Sequence, residues 1–171
     1  MSQDFFAEKA ASYEQNPQRV DHVVAIGQAI KAAVALQSDM QLLDFGAGTG
    51  LLLQQIAPCV AKITALDVSP SMNAQLRAKT AQIACELEVL QQDLLQTPLQ
   101  RQFDGIISSM TLHHIADIPA LFRQFHHLLR PGGFIALADL ELAEAWKGLN
   151  AKEQEILALW AFEGLEPKQL S

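Results

Sequence analysis

A short apolar strand that ends in a carboxylate and runs into alternating glycines constrains this chain more than any other stretch of it. Leu42-Leu43 leads into Asp44-Phe45-Gly46-Ala47-Gly48-Thr49-Gly50. Glycines at such positions let the backbone turn sharply and let a bound molecule approach it closely. A carboxylate at the strand tip repels a pyrophosphate and attracts a cation. A dinucleotide fingerprint reads G-x-G-x-x-G/A. Here Gly46 and Gly48 fit, but Leu51 stands where the third small residue belongs, and Gly50 comes one residue early. The stretch therefore points to a positively charged small molecule rather than a dinucleotide.

The rest of the chain sets the frame for that turn. Its 171 residues suit one domain, and with 50% hydrophobic and 18% charged residues it can bury a large core. The net charge of −7 disfavours binding to nucleic-acid phosphate. No apolar run is long enough to span a membrane, and Met1-Ser2-Gln3-Asp4 carries no secretory signal pattern. Cys59 and Cys85 are far apart in sequence and read as reduced thiols, so a cytoplasmic location is expected.

Helical and strand patterns alternate along the chain. Asn16-Pro17 reads as an N-cap and first helical residue, followed by Val20, Val23, Val24, Gly27, Ile30 and Val34 at helical spacing. Strands are predicted over 41–45, 61–67, 86–91, 103–109 and 134–139. Helices are predicted over 50–57, from Ser69-Pro70 to about residue 84, and over 117–129. Such alternation implies βαβ units, a parallel sheet and right-handed crossovers. The expected fold is α/β, a Rossmann-like doubly wound parallel sheet of order 3-2-1-4-5 with helices on both faces. One domain is expected over 1–171: an N-terminal helical lid over 1–38, a cofactor-binding core over 39–140 and a C-terminal helical segment over 141–171.

The D-x-G-x-G-x-G run resembles motif I of the class I S-adenosylmethionine-dependent methyltransferases. Asp67-Val68-Ser69-Pro70-Ser71-Met72 resembles their D-x-S-x-x-M segment, and Phe103-Asp104-Gly105-Ile106-Ile107-Ser108-Ser109 their fourth strand. Arg130-Pro131-Gly132-Gly133 resembles the turn before their fifth. The segments occur in the family's order from about residue 41 to residue 139. The resemblance implies S-adenosyl-L-methionine as cofactor, cradled by Asp44, Gly46, Ala47 and Gly48. It gives Asp67 the ribose hydroxyls, and Val68 and Met72 the adenine. Met72 is equally well read as core filling. By the same resemblance Asp93 accepts from the adenine amino group and the amide of Leu94 donates to a ring nitrogen. Ser109 follows strand four on the ligand side of the sheet. Asp104 falls at the far end of that strand and takes a structural role.

In relatives with a similar N-terminal segment an aromatic residue covers the cofactor, and Phe6, Ala10 and Tyr13 match it loosely. Tyr13 is thus read either as a lid residue or as packing. His113-His114 follows strand four near the expected methyl position. His113 is the candidate base, with loop packing as the alternative; no metal site is expected. Asp139 and Glu141 either reach a substrate pocket or are solvated.

The family's sheet ends in an antiparallel strand pair, and nothing after Asp139 reads as one. Asn150-Ala151-Lys152-Glu153 resembles a capping box, opening a helix through Ile156, Leu157, Leu159, Trp160 and Phe162. Strands six and seven are therefore expected to be absent. Strand five becomes an exposed edge, covered by that helix or by a second copy in a homodimer. The function expected is methyl transfer to a small-molecule acceptor, with neither nucleic acid nor membrane as partner. The alternatives are a cofactor-binding module without catalysis, a nicotinamide-dependent oxidoreductase, and a regulatory protein that binds neither ligand.

Overall fold

The computed structural model describes Asp4 and residues 6–139, 159–163 and 166–170, without the side chains of His113 and of 159–170. Its strands are β1 (Gln41–Phe45), β2 (Lys62–Asp67), β3 (Glu86–Gln91), β4 (Phe103–Ser109), β5 (Leu129–Ala138), β6 (Leu159–Glu163) and β7 (Glu166–Leu170). They form one sheet of order β3-β2-β1-β4-β5-β6-β7. β1 to β5 run parallel, as the strand–helix alternation predicts.

The sheet has two strands more than expected. β6 pairs parallel with β5, from Ile135 with Leu159 to Ala138 with Phe162, and β7 pairs antiparallel with β6. The stretch 159–163, read as part of a helix, is a strand. A run of five mostly apolar residues fits either period, and length alone does not decide it. An unpaired β5 edge supplies the deciding force, because its free N–H and C=O groups are satisfied by a sixth strand. β5 is therefore not an edge, and a homodimer through it loses its premise. The capping box at 150–153 lies outside the described residues.

Among the described residues, α1 (Ala7–Ala10) and α2 (Pro17–Ala33) precede β1, and α3 (Leu51–Ile56), α4 (Pro70–Ala78) and α5 (Ile118–Leu128) join strands. The Asn16 side chain caps α2 by accepting from the amides of Gln18 and Arg19 at 3.0 and 3.2 Å. Ser69 caps α4 and Asp117 caps α5 in the same way. On one face of the sheet, Leu121, Phe122, Phe125 and Leu128 of α5 bury against Leu43, Phe45, Ile106 and Ile135. Burying each of these phenylalanines contributes about 1.5–3 kcal/mol. On the other face, α2, α3 and α4 place Ile26, Ile30, Leu53, Ile56 and Leu76 against Leu42, Ile63, Ala65 and Ile107.

At the far end of the strands Asp104 has the structural role expected of it. Its carboxylate accepts from the Gln41 amide at 2.7 Å and from the Arg130 guanidinium at 2.9 Å. Arg130-Pro131-Gly132-Gly133 forms a bulge inside β5, between the Leu129–Phe103 and Phe134–Gly105 pairings. Among the described residues no helix is long and apolar enough to cross a membrane.

Candidate active site

The C-terminal ends of β1 and β2 bring two carboxylates together. Along β1, Leu43 and Phe45 enter the α5 face and Leu42 the opposite one. Alternation puts Asp44 with Leu42. Along β2, Ile63 and Ala65 enter that same face, and Asp67 follows in step. Asp44 is 1% exposed, and its Oδ2 has no hydrogen-bond partner. Burial, and then the charge of Asp67, push the Asp44 carboxyl well above the usual carboxylate range. Burial also raises Asp67, against the opposing effect of backbone N–H donors from Ser69, Gly48 and Val68. Two like charges in a dry site make it a place where a cation is stabilised.

The glycine loop hangs from β2. Gly46 N–H and Ala47 N–H both donate to the Leu66 carbonyl, at 2.8 and 3.1 Å, and Gly48 N–H donates to Asp67 Oδ2 at 2.8 Å. Gly46, Gly48 and Gly50 all adopt positive φ. Their surroundings differ. A Cβ on Gly46 would meet Thr111 at 2.2 Å, and one on Gly50 would meet Leu76 at 2.4 Å. A Cβ on Gly48 would meet nothing within 4 Å. Two of the glycines admit close packing of the protein on itself. The third faces open space.

The segment after β4 forms the other wall. Thr111 Oγ1 lies 3.2 Å from the Gly46 carbonyl and 3.1 Å from that of Ser109. Met110 holds a left-handed φ of 53°, uncommon for a side chain of its size, and its N–H donates to the Ala138 carbonyl at 2.7 Å. The Leu112 amide donates to Asp139 Oδ2 at 2.5 Å. Asp139 is 5% exposed, so it is not the solvated charge of one sequence reading; it pins this wall. Glu141 lies outside the described residues.

The other candidates fall around this cleft in different ways. Val68 is 55% exposed, the only large hydrophobic residue so exposed among those described, and it follows Asp67 directly. Met72 is 3% exposed and its amide bonds the Ser69 hydroxyl, which gives it a packing role on α4. Leu94 is buried in the α5-side core. Asp93 is exposed, and its carboxylate turns back to accept from the Leu95 amide at 3.0 Å. Ser109 and Ala47 are half-buried at the strand ends. His113 sits in a turn over Leu112–His114, immediately beyond β4, with its side chain outside the described set. Tyr13 is half-buried, with the Arg19 guanidinium stacked 4.1 Å from its ring centre.

Sequence reasoning missed Thr49 and Asp4. Thr49 Oγ1 is buried without a partner, in the middle of the glycine run. Asp4 is bonded to the first turn of α4. These depend on contacts between distant segments, which no local pattern carries.

Known proteins share this fold. The family model described as a methyltransferase domain matches residues 18–166. A ubiquinone biosynthesis O-methyltransferase of Xanthomonas campestris is 30% identical over 145 residues, covering 84% of this chain and 57% of the relative. An S-adenosylmethionine-dependent methyltransferase from Clostridium acetobutylicum superposes with a TM-score of 0.63 at 24% identity, over 75% of this chain and 55% of that one. The structure of a DhpI–SAH complex superposes with a TM-score of 0.65 at 22% identity, over 77% of this chain and 63% of that one. The chain spans about half the length of the curated relatives it matches. The carboxylate-tipped first strand, the open glycine turn and the family match lead to one assignment: this chain belongs to the methyltransferase-domain family.

Proposed function

We propose that this chain binds S-adenosylmethionine at the end of β1 and transfers its methyl group to a small-molecule acceptor. The observation that carries the proposal is the buried, unpartnered Oδ2 of Asp44, close to Asp67, whose carboxylate holds the open glycine Gly48. An orphaned buried carboxylate oxygen is costly unless something fills it. An ammonium supplies both the missing donor and the missing charge, and a sulfonium supplies charge alone. Asp67 takes the ribose hydroxyls, and exposed Val68 offers an apolar contact to the adenine.

The bound cofactor supplies an already activated methyl group for in-line displacement. The protein's share is to align acceptor and donor and to exclude water, and orientation of that kind is worth roughly 7–11 kcal/mol in favourable cases. Thr111, Met110 and Asp139 give the acceptor wall a fixed shape. His113, in the turn beyond β4, would take a proton from an acceptor that holds one at neutral pH. The net charge of −7 supports a small molecule over a nucleic acid, and the free Cys59 and Cys85 fit a cytoplasmic setting.

Cofactor binding without turnover is the competing outcome. Incubation with methyl-labelled cofactor and a panel of phenol, amine and carboxylate acceptors separates the two. Label in any acceptor product supports transfer. Binding with no product across the panel supports the module. Thermal stabilisation by NAD but not by S-adenosylhomocysteine would overturn both.

A further inference from the structure

The N-terminal segment bridges both lips of the cleft, and we propose that it is a latched strap that gates cofactor exchange, with Asp4 as the latch. This rests on the cofactor reading above. On the β2 side, Asp4 Oδ1 accepts from the Ser69 hydroxyl at 2.8 Å. Its Oδ2 accepts from the Ser71 amide at 2.9 Å and from the Ser71 hydroxyl at 2.6 Å. Both serines follow Asp67 closely, and α4 begins between them at Pro70. A carboxylate on the first turn of a helix is also favoured by the helix dipole.

Further along, Glu14 pairs with Lys79 at the end of α4. On the β4 side, the Phe6 ring meets His114 edge-on, with centroids 5.8 Å apart. Between these anchors the strap passes over the glycine loop. It encloses there a cavity of about 60 Å³ lined by Ala10, Ala11, Glu14, Thr49, Gln75 and Lys79. The strap is thus fastened to the segments after β2 and after β4, and it shares the lining of that cavity with Thr49 of the segment after β1.

A ligand seated at the end of β1 cannot leave without release of at least one anchor. Asp4 is the anchor with most hydrogen bonds, and it adds a fourth from the Phe6 amide at 3.1 Å. Its substitution should therefore speed both entry and exit of ligand.

The test is stopped-flow binding of S-adenosylhomocysteine to the wild-type chain, Asp4→Ala, Asp4→Asn and Glu14→Gln. The account expects Asp4→Ala to raise the dissociation rate about tenfold and also to raise the association rate, with Asp4→Asn intermediate. Loss of packing alone would slow association or leave it unchanged. Wild-type rates in Asp4→Ala and Glu14→Gln would overturn the latch while leaving the cofactor reading intact. Absence of binding to the wild-type chain would instead overturn the cofactor reading and the latch with it.

Discussion

Asp67 Oδ2 accepts the Gly48 amide at 2.8 Å, so the carboxylate assigned to the ribose also holds the open glycine in place. Its Oδ1 accepts the Ser69 amide at 2.9 Å and so sets the start of α4. One side chain thus links the glycine turn to the helix that follows β2.

Substitution of Asp67 should therefore have two effects. Asp67→Ala should weaken S-adenosylhomocysteine by roughly 1.5–3 kcal/mol for each charge-assisted hydrogen bond lost. It should also speed hydrogen exchange at the Gly48 amide in the ligand-free protein, read by mass spectrometry. Unchanged affinity by calorimetry would remove Asp67 from the site.

Gly46 and Gly48 should separate under substitution. Gly46→Ala forces a Cβ against Thr111 and strains a positive φ, so it should destabilise the fold by about 2–4 kcal/mol. At 171 residues that lowers Tm by roughly 5–15 °C. Gly48→Ala meets no protein atom and should cost only about 1 kcal/mol of backbone strain. Gly48→Val should abolish cofactor binding in a protein that still folds. Calorimetry and thermal melts on all three variants check this pattern. Full affinity in Gly48→Val would show that the loop does not touch the ligand.

Two carboxylates give the pH dependence of stability opposite signs. Asp44 has a raised folded-state pKa, so the folded chain holds its proton more tightly than the unfolded one. Its effect is that stability falls as pH rises above about 4 and on through its folded pKa. Glu88 lies between Lys62 and Arg101, and hydrogen bonding to Arg101 first of all lowers it to about 2. Its contribution is present above about pH 4.5 and is lost as pH falls toward 2. Because Glu88 is partly exposed, that contribution stays below about 1 kcal/mol. Urea unfolding from pH 3 to pH 8 should show Asp44→Asn more stable than wild type at neutral pH, the difference vanishing toward pH 3. Glu88→Gln should lose stability at neutral pH and converge with wild type in acid.

The parallel half of the sheet was legible because its signals are local. Asp-Phe-Gly-Ala-Gly-Thr-Gly, Asn-Pro and Ser-Pro each fix a turn or a cap through a few neighbouring dihedrals and hydrogen bonds. The strands over Glu86–Gln91 and Phe103–Ser109 fall where their patterns put them. The region 159–163 was misread because Leu159, Trp160 and Phe162 satisfy both periods, and the edge of β5 decided between them. Asp139 was ambiguous for a similar reason, since its partner, the Leu112 amide, lies 27 residues away. Met72 fitted both a cofactor contact and a core position, and its 3% exposure favours the core. Asp44 and Asp67 were legible as a pair because both end adjacent parallel strands.

The most direct test is calorimetric titration of S-adenosylhomocysteine into the wild-type chain and into Asp44→Asn at neutral pH. That ligand keeps the ammonium that the buried carboxylate is argued to hold. The account predicts saturable one-to-one binding to wild type, and affinity at least about tenfold lower in a variant that melts no earlier, the loss expected for one charged hydrogen bond. Equal affinity in the two proteins would contradict it.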